Sequence, residues 1–159
     1  MRSMYTRRLW IQALALGAAP AMAAPDASER LLPSSQDLPR DLFAALARKE
    51  PLVVMASLHG CPYCKLVREH FLLPLSQSGA CVTQVHFLSR DPLRNWAGEP
   101  STHGAVIRQL GIELAPSLLF YGAAQQEVAA RLVGGSIPDF YGAYLDERMA
   151  AARATLRSR

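Results

Sequence analysis

The chain has 159 residues, 50% of them hydrophobic, and its 17 basic and 13 acidic residues give a formal net charge of +4. Lysine and arginine are scattered without forming a basic stripe, which argues against nucleic-acid partners. Without the N-terminal segment described next, about 135 residues remain, which suits one compact domain.

Residues 1–23 have the pattern of a cleavable signal peptide. Three arginines precede the mostly apolar residues 9–19, and residues 21–23 (Ala-Met-Ala) form a small-x-small cleavage site. The apolar stretch is shorter than the roughly 20 residues of a membrane-spanning helix, so we expect export to the periplasm without stable membrane insertion after cleavage. Without these three arginines, 14 basic residues face 13 acidic ones, a net charge of +1. Trp10 and Gln12 depart from a twin-arginine signal, which favours general secretion.

Residues 24–36 are polar and aperiodic, so we interpret them as a leader that precedes a domain of residues 37–150. Asp37 is placed to cap a first helix, whose apolar positions are Leu38, Leu42, Ala45 and Leu46. Residues 52–57 form a short apolar run, as expected of a parallel strand that is buried on both faces.

Cys61-Pro62-Tyr63-Cys64 follows that strand and opens a second helical pattern. Two cysteines at this spacing can close a reversible disulfide, and the strand–CxxC–helix order is typical of a thiol–disulfide site. Because a helix N-terminus stabilises a thiolate, we expect a lowered pKa and raised reactivity for Cys61. Pro62 is tolerated in the first turn, whereas Pro74 must kink or end the helix.

The rest of the chain predicts two more helices and three more strands. Residues 82–88 form the second strand, residues 90–103 an irregular connection, residues 105–110 a short helix, and residues 117–121 and 127–133 a hairpin. Ser136 caps the last helix, with Asp139 in a capping-box position. The inner face of that helix comprises Phe140, Tyr141, Tyr144, Leu145 and Met149, and residues 151–159 are a frayed tail. This order predicts an α/β protein with a mixed four-stranded sheet flanked by helices on both faces.

These elements resemble the thioredoxin superfamily. The likeness rests on residues 52–65 (strand, CxxC and helix start), on residues 111–121, and on residues 131–145. It implies the thioredoxin fold and an exported thiol–disulfide oxidoreductase that needs no cofactor. The implied partners are protein thiols or disulfides and an unidentified redox protein that recharges the cysteines, and we expect a monomer.

The resemblance also implies roles for individual residues. Cys61 is similar to the family's attacking cysteine, and Cys64 to the resolving cysteine that breaks the mixed disulfide. Pro62 and Tyr63 would tune the stability of the thiolate, and Pro-Tyr is also the dipeptide typical of glutaredoxins. His59 is either a charge neighbour and proton carrier for Cys61 or a solvated loop histidine.

Pro116 lies where the family has its cis-proline, and the Ala115 backbone would pair with an extended substrate segment. Two positions depart from typical thioredoxins: Met55 replaces a buried carboxylate, and Gly60 replaces the tryptophan before the first cysteine. These departures put the proton-transfer assistance of typical thioredoxins in doubt.

A narrower resemblance concerns the thioredoxin-like proteins of periplasmic sulfur-oxidation systems, which keep a carrier thiol reduced. It rests on the Cys-x-Tyr-Cys site, on residues 91–92 (Asp-Pro), and on residues 131–134 followed by residues 139–141. This match suggests a reducing rather than an oxidising role.

Several other chemistries compete with this interpretation. The four histidines are single and widely spaced, and haem attachment would need a histidine where the chain has Lys65, so no metal or haem site is predicted. The alternatives that remain are glutathione-dependent exchange through Cys61 alone and a redox-regulated binding module with a structural disulfide. Cys81 is left over once Cys61 and Cys64 pair, and is either a buried small hydrophobe or an intermolecular or regulatory thiol.

Overall fold

The computed structural model describes residues 27–135 and 138–158. The predicted signal peptide and Ser136, the predicted cap of the last helix, lie outside the described residues. The helices are α1 (Leu38–Ala47), α2 (Pro62–Val67), α3 (Leu73–Gln77), α4 (His103–Gln109) and α5 (Pro138–Arg157). The strands are β1 (Leu52–Ser57), β2 (Cys81–His86), β3 (Pro92–Arg94), β4 (Pro100–Thr102), β5 (Ser117–Tyr121) and β6 (Glu127–Val133).

The main sheet has four strands in the order β2-β1-β5-β6. Strand β1 runs parallel to β2, with Leu52 opposite Cys81, and antiparallel to β5, with Leu52 opposite Tyr121. Strand β6 pairs antiparallel with β5. Parallel neighbours need a crossover connection, which the helical segment between β1 and β2 supplies. The predicted mixed four-stranded sheet and its terminal hairpin are confirmed.

Different helices cover the two faces of the sheet. Successive strand residues point to opposite faces, so β1 and β5 contribute to both cores. Against α2 and α5 the buried side chains include Val53, Met55, Leu118, Phe120, Val67, Tyr141, Leu145 and Met149. Against α1 and α4 they include Leu52, Val54, Ala56, Leu119, Leu38, Leu42, Val106 and Ile107. The continuous apolar run of β1 follows from this double burial.

The helix that begins at the CxxC passes through Pro74 instead of ending there. A π-helical turn, Arg68–Leu72, separates α2 from α3, and the Leu73 N–H donates to the Arg68 carbonyl. Proline cannot donate the usual backbone hydrogen bond and its ring crowds the carbonyl four residues earlier. The wider turn shifts the hydrogen-bond register just before the proline. The predicted interruption at Pro74 therefore takes the form of a π turn.

Residues 27–36, which the sequence predicts to be a leader, pack against the sheet. Residues Ala27–Arg30 form a 3-10 turn in which Glu29 is buried. The Gln84 side chain of β2 donates hydrogen bonds to the backbone carbonyls of Glu29 and Leu32. Leu32 also packs into the hydrophobic core, but a single buried leucine among polar residues forms no apolar periodicity that would reveal the association.

The last helix departs from its predicted face and length. Its buried side chains are Tyr141, Leu145, Met149 and Ala152, a spacing that follows the helical repeat. Phe140 and Tyr144, predicted to face inward, are 59% and 46% exposed. The helix continues to Arg157, through most of residues 151–159 that were predicted to fray, because Ala152 is fully buried against the sheet.

The connection predicted to be irregular, residues 90–103, contains the short antiparallel pair β3–β4. Helix α4 follows at once, with the Thr102 hydroxyl accepting a hydrogen bond from the Ala105 N–H as its cap. Among the described helices, none combines the length and apolarity that crossing a membrane requires.

Candidate active site

Cys61 and Cys64 lie at the start of α2, after the loop that follows β1. Cys61 is the N-cap residue, and the Cys64 backbone N–H donates to Cys61 Sγ at 3.2 Å. Cys61 is partly exposed, whereas Cys64 is fully buried in the core between α2, α5 and the sheet. Both are free thiols. The pair thus has an accessible outer sulfur and a shielded inner one, as attack and resolution in that order require.

The surroundings of Cys64 disfavour its thiolate. Burial is the main cause that raises the pKa of Cys64 to about 12, and the hydrogen bond and charge of Cys61 raise the pKa further. Hydrogen bonds from the Leu58 backbone and the Ser57 hydroxyl lower the pKa in opposition. In the reduced protein, Cys64 is therefore a protonated thiol at neutral pH.

This difference predicts selective alkylation. In the reduced protein at pH 7, iodoacetamide should modify Cys61 well before Cys64, because the thiolate is the reacting form and Cys64 has both a raised pKa and no exposure. The rate at Cys64 should rise with pH up to its pKa. Timed quenching followed by peptide mass spectrometry measures both rates. Protein unfolded in guanidinium chloride is the control, in which both cysteines react; faster labelling of Cys64 in the folded protein contradicts the assignment.

A buried arginine supports the site from within the core. Arg68 is 1% exposed, and its guanidinium donates to Ser57 Oγ at 2.6 Å, Ser28 Oγ at 2.9 Å and Gln84 Oε1 at 3.1 Å. Because Ser57 also contacts the Cys64 thiol, its hydroxyl connects the buried cation to the inner sulfur. Arginine in a helical pattern is usually exposed, so the sequence carries no signal for this contact.

His59, the predicted charge neighbour of Cys61, is held in place and not simply solvated. Its Nδ1 lies 2.6 Å from Glu29 Oε2, and its ring stacks on His86 with centroids 4.7 Å apart and planes 7° from parallel. The Gly60 N–H donates to Glu29 Oε1 at 3.2 Å, so Glu29 holds the loop that leads into Cys61. Glu29 lies 30 residues before His59, in the segment predicted as a leader, and sequence reasoning missed it.

The Ala115–Pro116 peptide bond is cis, as the family resemblance predicts. A side chain on Gly135 would place its Cβ 3.2 Å from Pro116 Cγ and 3.6 Å from Tyr63 Cβ, so this glycine fits between the proline and α2. Ala115 packs against the same core cluster as Cys61. Pro116 therefore lies close to Tyr63, between the two cysteines in the chain, and Gly135 permits this close approach.

Solved structures confirm the fold. A thioredoxin from Thermus thermophilus is 19% identical with a TM-score of 0.51, covering 73% of this chain and 85% of that chain. DsbH oxidoreductase is 15% identical with a TM-score of 0.50, covering 98% and 96% of the two chains. The chain has the thioredoxin fold, although no protein-family model and no curated protein sequence matches it.

The periplasmic thioredoxin SoxS from Paracoccus pantotrophus, in its reduced form, is 20% identical over 65% of this chain and 99% of that chain. Its TM-score is 0.43. At these identities the solved structures establish the fold, and the resemblance to the thioredoxin-like proteins of sulfur-oxidation systems stays a prediction.

Proposed function

We propose that the protein is a thiol–disulfide oxidoreductase that acts on protein substrates through Cys61 and Cys64. The observation that carries the proposal is the asymmetry of the pair: a partly exposed Cys61 caps α2, and a fully buried Cys64 lies one turn further along. At this helix start the Cys64 N–H donates a hydrogen bond to Cys61 Sγ. Burial leaves Cys64 within reach mainly of Cys61 Sγ, the sulfur it must attack once Cys61 carries the mixed disulfide.

In the reducing direction, the Cys61 thiolate attacks one sulfur of a substrate disulfide and forms a mixed disulfide, and the displaced substrate thiolate takes up a proton. Cys64 then loses its proton and attacks Cys61 Sγ. The Cys61–Cys64 bond forms, the second substrate sulfur leaves as a thiolate, and two electrons have passed from the protein to the substrate. Ser57, with the Arg68 guanidinium behind it, stabilises the Cys64 thiolate that the second step requires.

The surface beside the pair suits an extended protein segment. Tyr63, Leu114 and Val133 are 52%, 53% and 58% exposed, and apolar side chains of a client can pack on them. Ala115, next to the cis peptide bond, offers its backbone for strand-like pairing with the same segment. We infer that unfolded or extended disulfide-containing proteins are preferred over small disulfides.

The proposal includes export of the protein and reduction, not oxidation, of its substrates. The signal-peptide pattern of residues 1–23 supports export, and the resemblance around the Cys-x-Tyr-Cys site supports the direction. Two alternatives differ in behaviour. A glutaredoxin-like enzyme would work with Cys61 and glutathione alone, whereas a redox-regulated binding module would keep a disulfide that resists mild reductant.

Equilibration with glutathione tests this proposal. We expect the Cys61–Cys64 pair to have a potential of about −180 to −240 mV, between thioredoxin at about −270 mV and DsbA at about −120 mV. The reasons are the Pro-Tyr dipeptide between the cysteines and Met55 in place of a buried carboxylate. Acid quenching, alkylation and mass spectrometry across a series of glutathione ratios give the oxidised fraction. A value outside this window contradicts the expected potential, and a pair that stays oxidised throughout contradicts exchange itself.

A further inference from the structure

Three side chains with metal-binding donor atoms converge beside the cysteine pair, although the sequence places them far apart. Glu29 comes from the N-terminal 3-10 turn, His59 from the loop before Cys61, and His86 from the end of β2. One ligand atom from each lies within 4.8 Å of the other two. The sulfur exchange proposed above uses none of these atoms as reacting groups.

His86 is held as a metal-ligating histidine is commonly held. It is 4% exposed, its Nε2 lies 2.9 Å from Ser34 Oγ, and among the described residues its buried Nδ1 has no hydrogen-bond partner. A neutral ring that donates through Nε2 to Ser34 carries a lone pair on Nδ1, and a hydrogen bond of this kind orients ligating histidines.

Glu29 supplies the charge that such a site needs. Its side chain is 5% exposed, and a carboxylate so buried requires close partners. The partners present are His59 Nδ1 and the Gly60 N–H. Glu29 Oε2 lies against His59 Nδ1, so two of the three metal-binding atoms already face each other.

We propose that Glu29, His59 and His86 form a binding site for a divalent transition metal of the zinc type. Imidazole nitrogens and a carboxylate oxygen are usual zinc ligands, and three protein ligands leave a fourth position for water or an exchangeable ligand. The ion takes the position of the proton between His59 Nδ1 and Glu29 Oε2. That proton moves to Nε2 of His59 or leaves to solvent.

His59 makes the movement that binding requires. An imidazole binds a metal in the plane of its ring, and two parallel stacked rings cannot direct their lone pairs at one ion. The His59 side chain is 38% exposed, so its ring has room to leave the stacked position and turn, while the buried His86 keeps its place. The turn draws ligand atoms now up to 4.8 Å apart toward the roughly 3.3 Å of a tetrahedral site.

The surrounding charges predict moderate affinity. The buried Arg68 guanidinium acts on His86 and opposes a cation, while the Glu29 carboxylate favours one. His103 packs 5.6 Å from His86, and burial lowers the pKa of His103, so this neighbour adds no charge at neutral pH. The carboxylate and the guanidinium thus have opposite effects on a bound cation.

Zinc titration calorimetry tests the proposal on untagged protein in which Cys61–Cys64 is oxidised and Cys81 is alkylated, because free thiols would compete for the metal. We expect one zinc ion per chain. Glu29→Gln, which keeps the shape of the side chain and removes its charge, and His59→Gln should each weaken binding by about 100-fold or abolish it. His70→Gln is the matched control, since His70 is an exposed histidine outside the cluster. Cobalt in place of zinc should give a spectrum without thiolate charge-transfer bands.

Failure of the wild-type protein to bind zinc, unchanged binding by His59→Gln, or lost binding in His70→Gln overturns the site. Circular dichroism confirms that each variant is folded. If Glu29→Gln unfolds, the His59→Gln variant decides the outcome, because His59 is exposed and its replacement should leave the fold intact. The oxidised protein needs no turnover in this assay. A missing zinc site therefore leaves the proposed exchange activity intact, and inactive cysteines leave the zinc site intact.

Discussion

Replacing Cys64 with serine is expected to convert the protein into a trap that accumulates mixed disulfides through Cys61, whereas Cys61→Ser abolishes attack altogether. Turnover should fall to the uncatalysed background in both variants, because one lacks the resolving thiol and the other the nucleophile. The expectation rests on the partly exposed Cys61 and the fully buried Cys64. Non-reducing gels and intact-protein mass spectrometry, after incubation with a disulfide-containing protein, measure the trapped species.

Two controls sharpen this experiment. The double variant Cys61→Ser/Cys64→Ser should trap nothing, and Cys81→Ser should leave trapping unchanged because Cys81 lies at the start of β2. Mixed disulfides formed as readily by Cys61→Ser as by Cys64→Ser contradict the assigned roles. Repeating the trap in a periplasmic extract identifies the substrates.

Arg68→Met is expected to lower the free energy of unfolding by about 3–5 kcal/mol, because each buried acceptor left unsatisfied costs about 1–3 kcal/mol. Methionine restores much of the volume, but it leaves the acceptors on Gln84, Ser28 and Ser57 without their buried donor. The variant also removes the cation behind Ser57, so the resolving step at Cys64 should slow. Urea unfolding, followed by tryptophan fluorescence, measures the stability, and the lifetime of the mixed disulfide measures the resolving step.

Arg108→Met is the matched control, because Arg108 is an exposed arginine on α4 and its replacement should change stability by less than about 0.5 kcal/mol. Arg68→Lys keeps the charge but loses the planar arrangement of donors, so it should fall between wild type and Arg68→Met. An Arg68→Met protein as stable as the Arg108→Met control contradicts a structural role for the guanidinium.

The sequence carried enough local signal to predict the sheet and the cysteine site. A short apolar run before the CxxC predicts β1, and the hairpin of β5 and β6 follows from two apolar segments around a glycine turn. The position of Pro116 before β5, read through the family resemblance, predicted its cis bond. These features depend on residues close together in the chain or on a motif of fixed spacing.

The supporting network of the site depends on contacts between distant residues, and no local pattern encodes it. Arg68 looks like any charged helix residue, and Glu29 like any residue of a polar leader. They become recognisable only when residues 27–36 pack against β2 and both side chains meet buried polar partners. Similarly, Phe140 and Tyr144 were predicted to be buried from hydrophobicity, whereas Tyr141, Leu145 and Met149 are the large side chains of this helix that face the core.

The most direct test of exchange through Cys61 and Cys64 is the reduction of insulin disulfides by dithiothreitol, followed as turbidity when the freed chains precipitate. Wild-type protein should make precipitation begin earlier than in the reaction without protein, and Cys61→Ser should reproduce the uncatalysed curve. A wild-type curve that coincides with the uncatalysed reaction, although the Cys61–Cys64 pair is shown to be reduced, would contradict the proposed function.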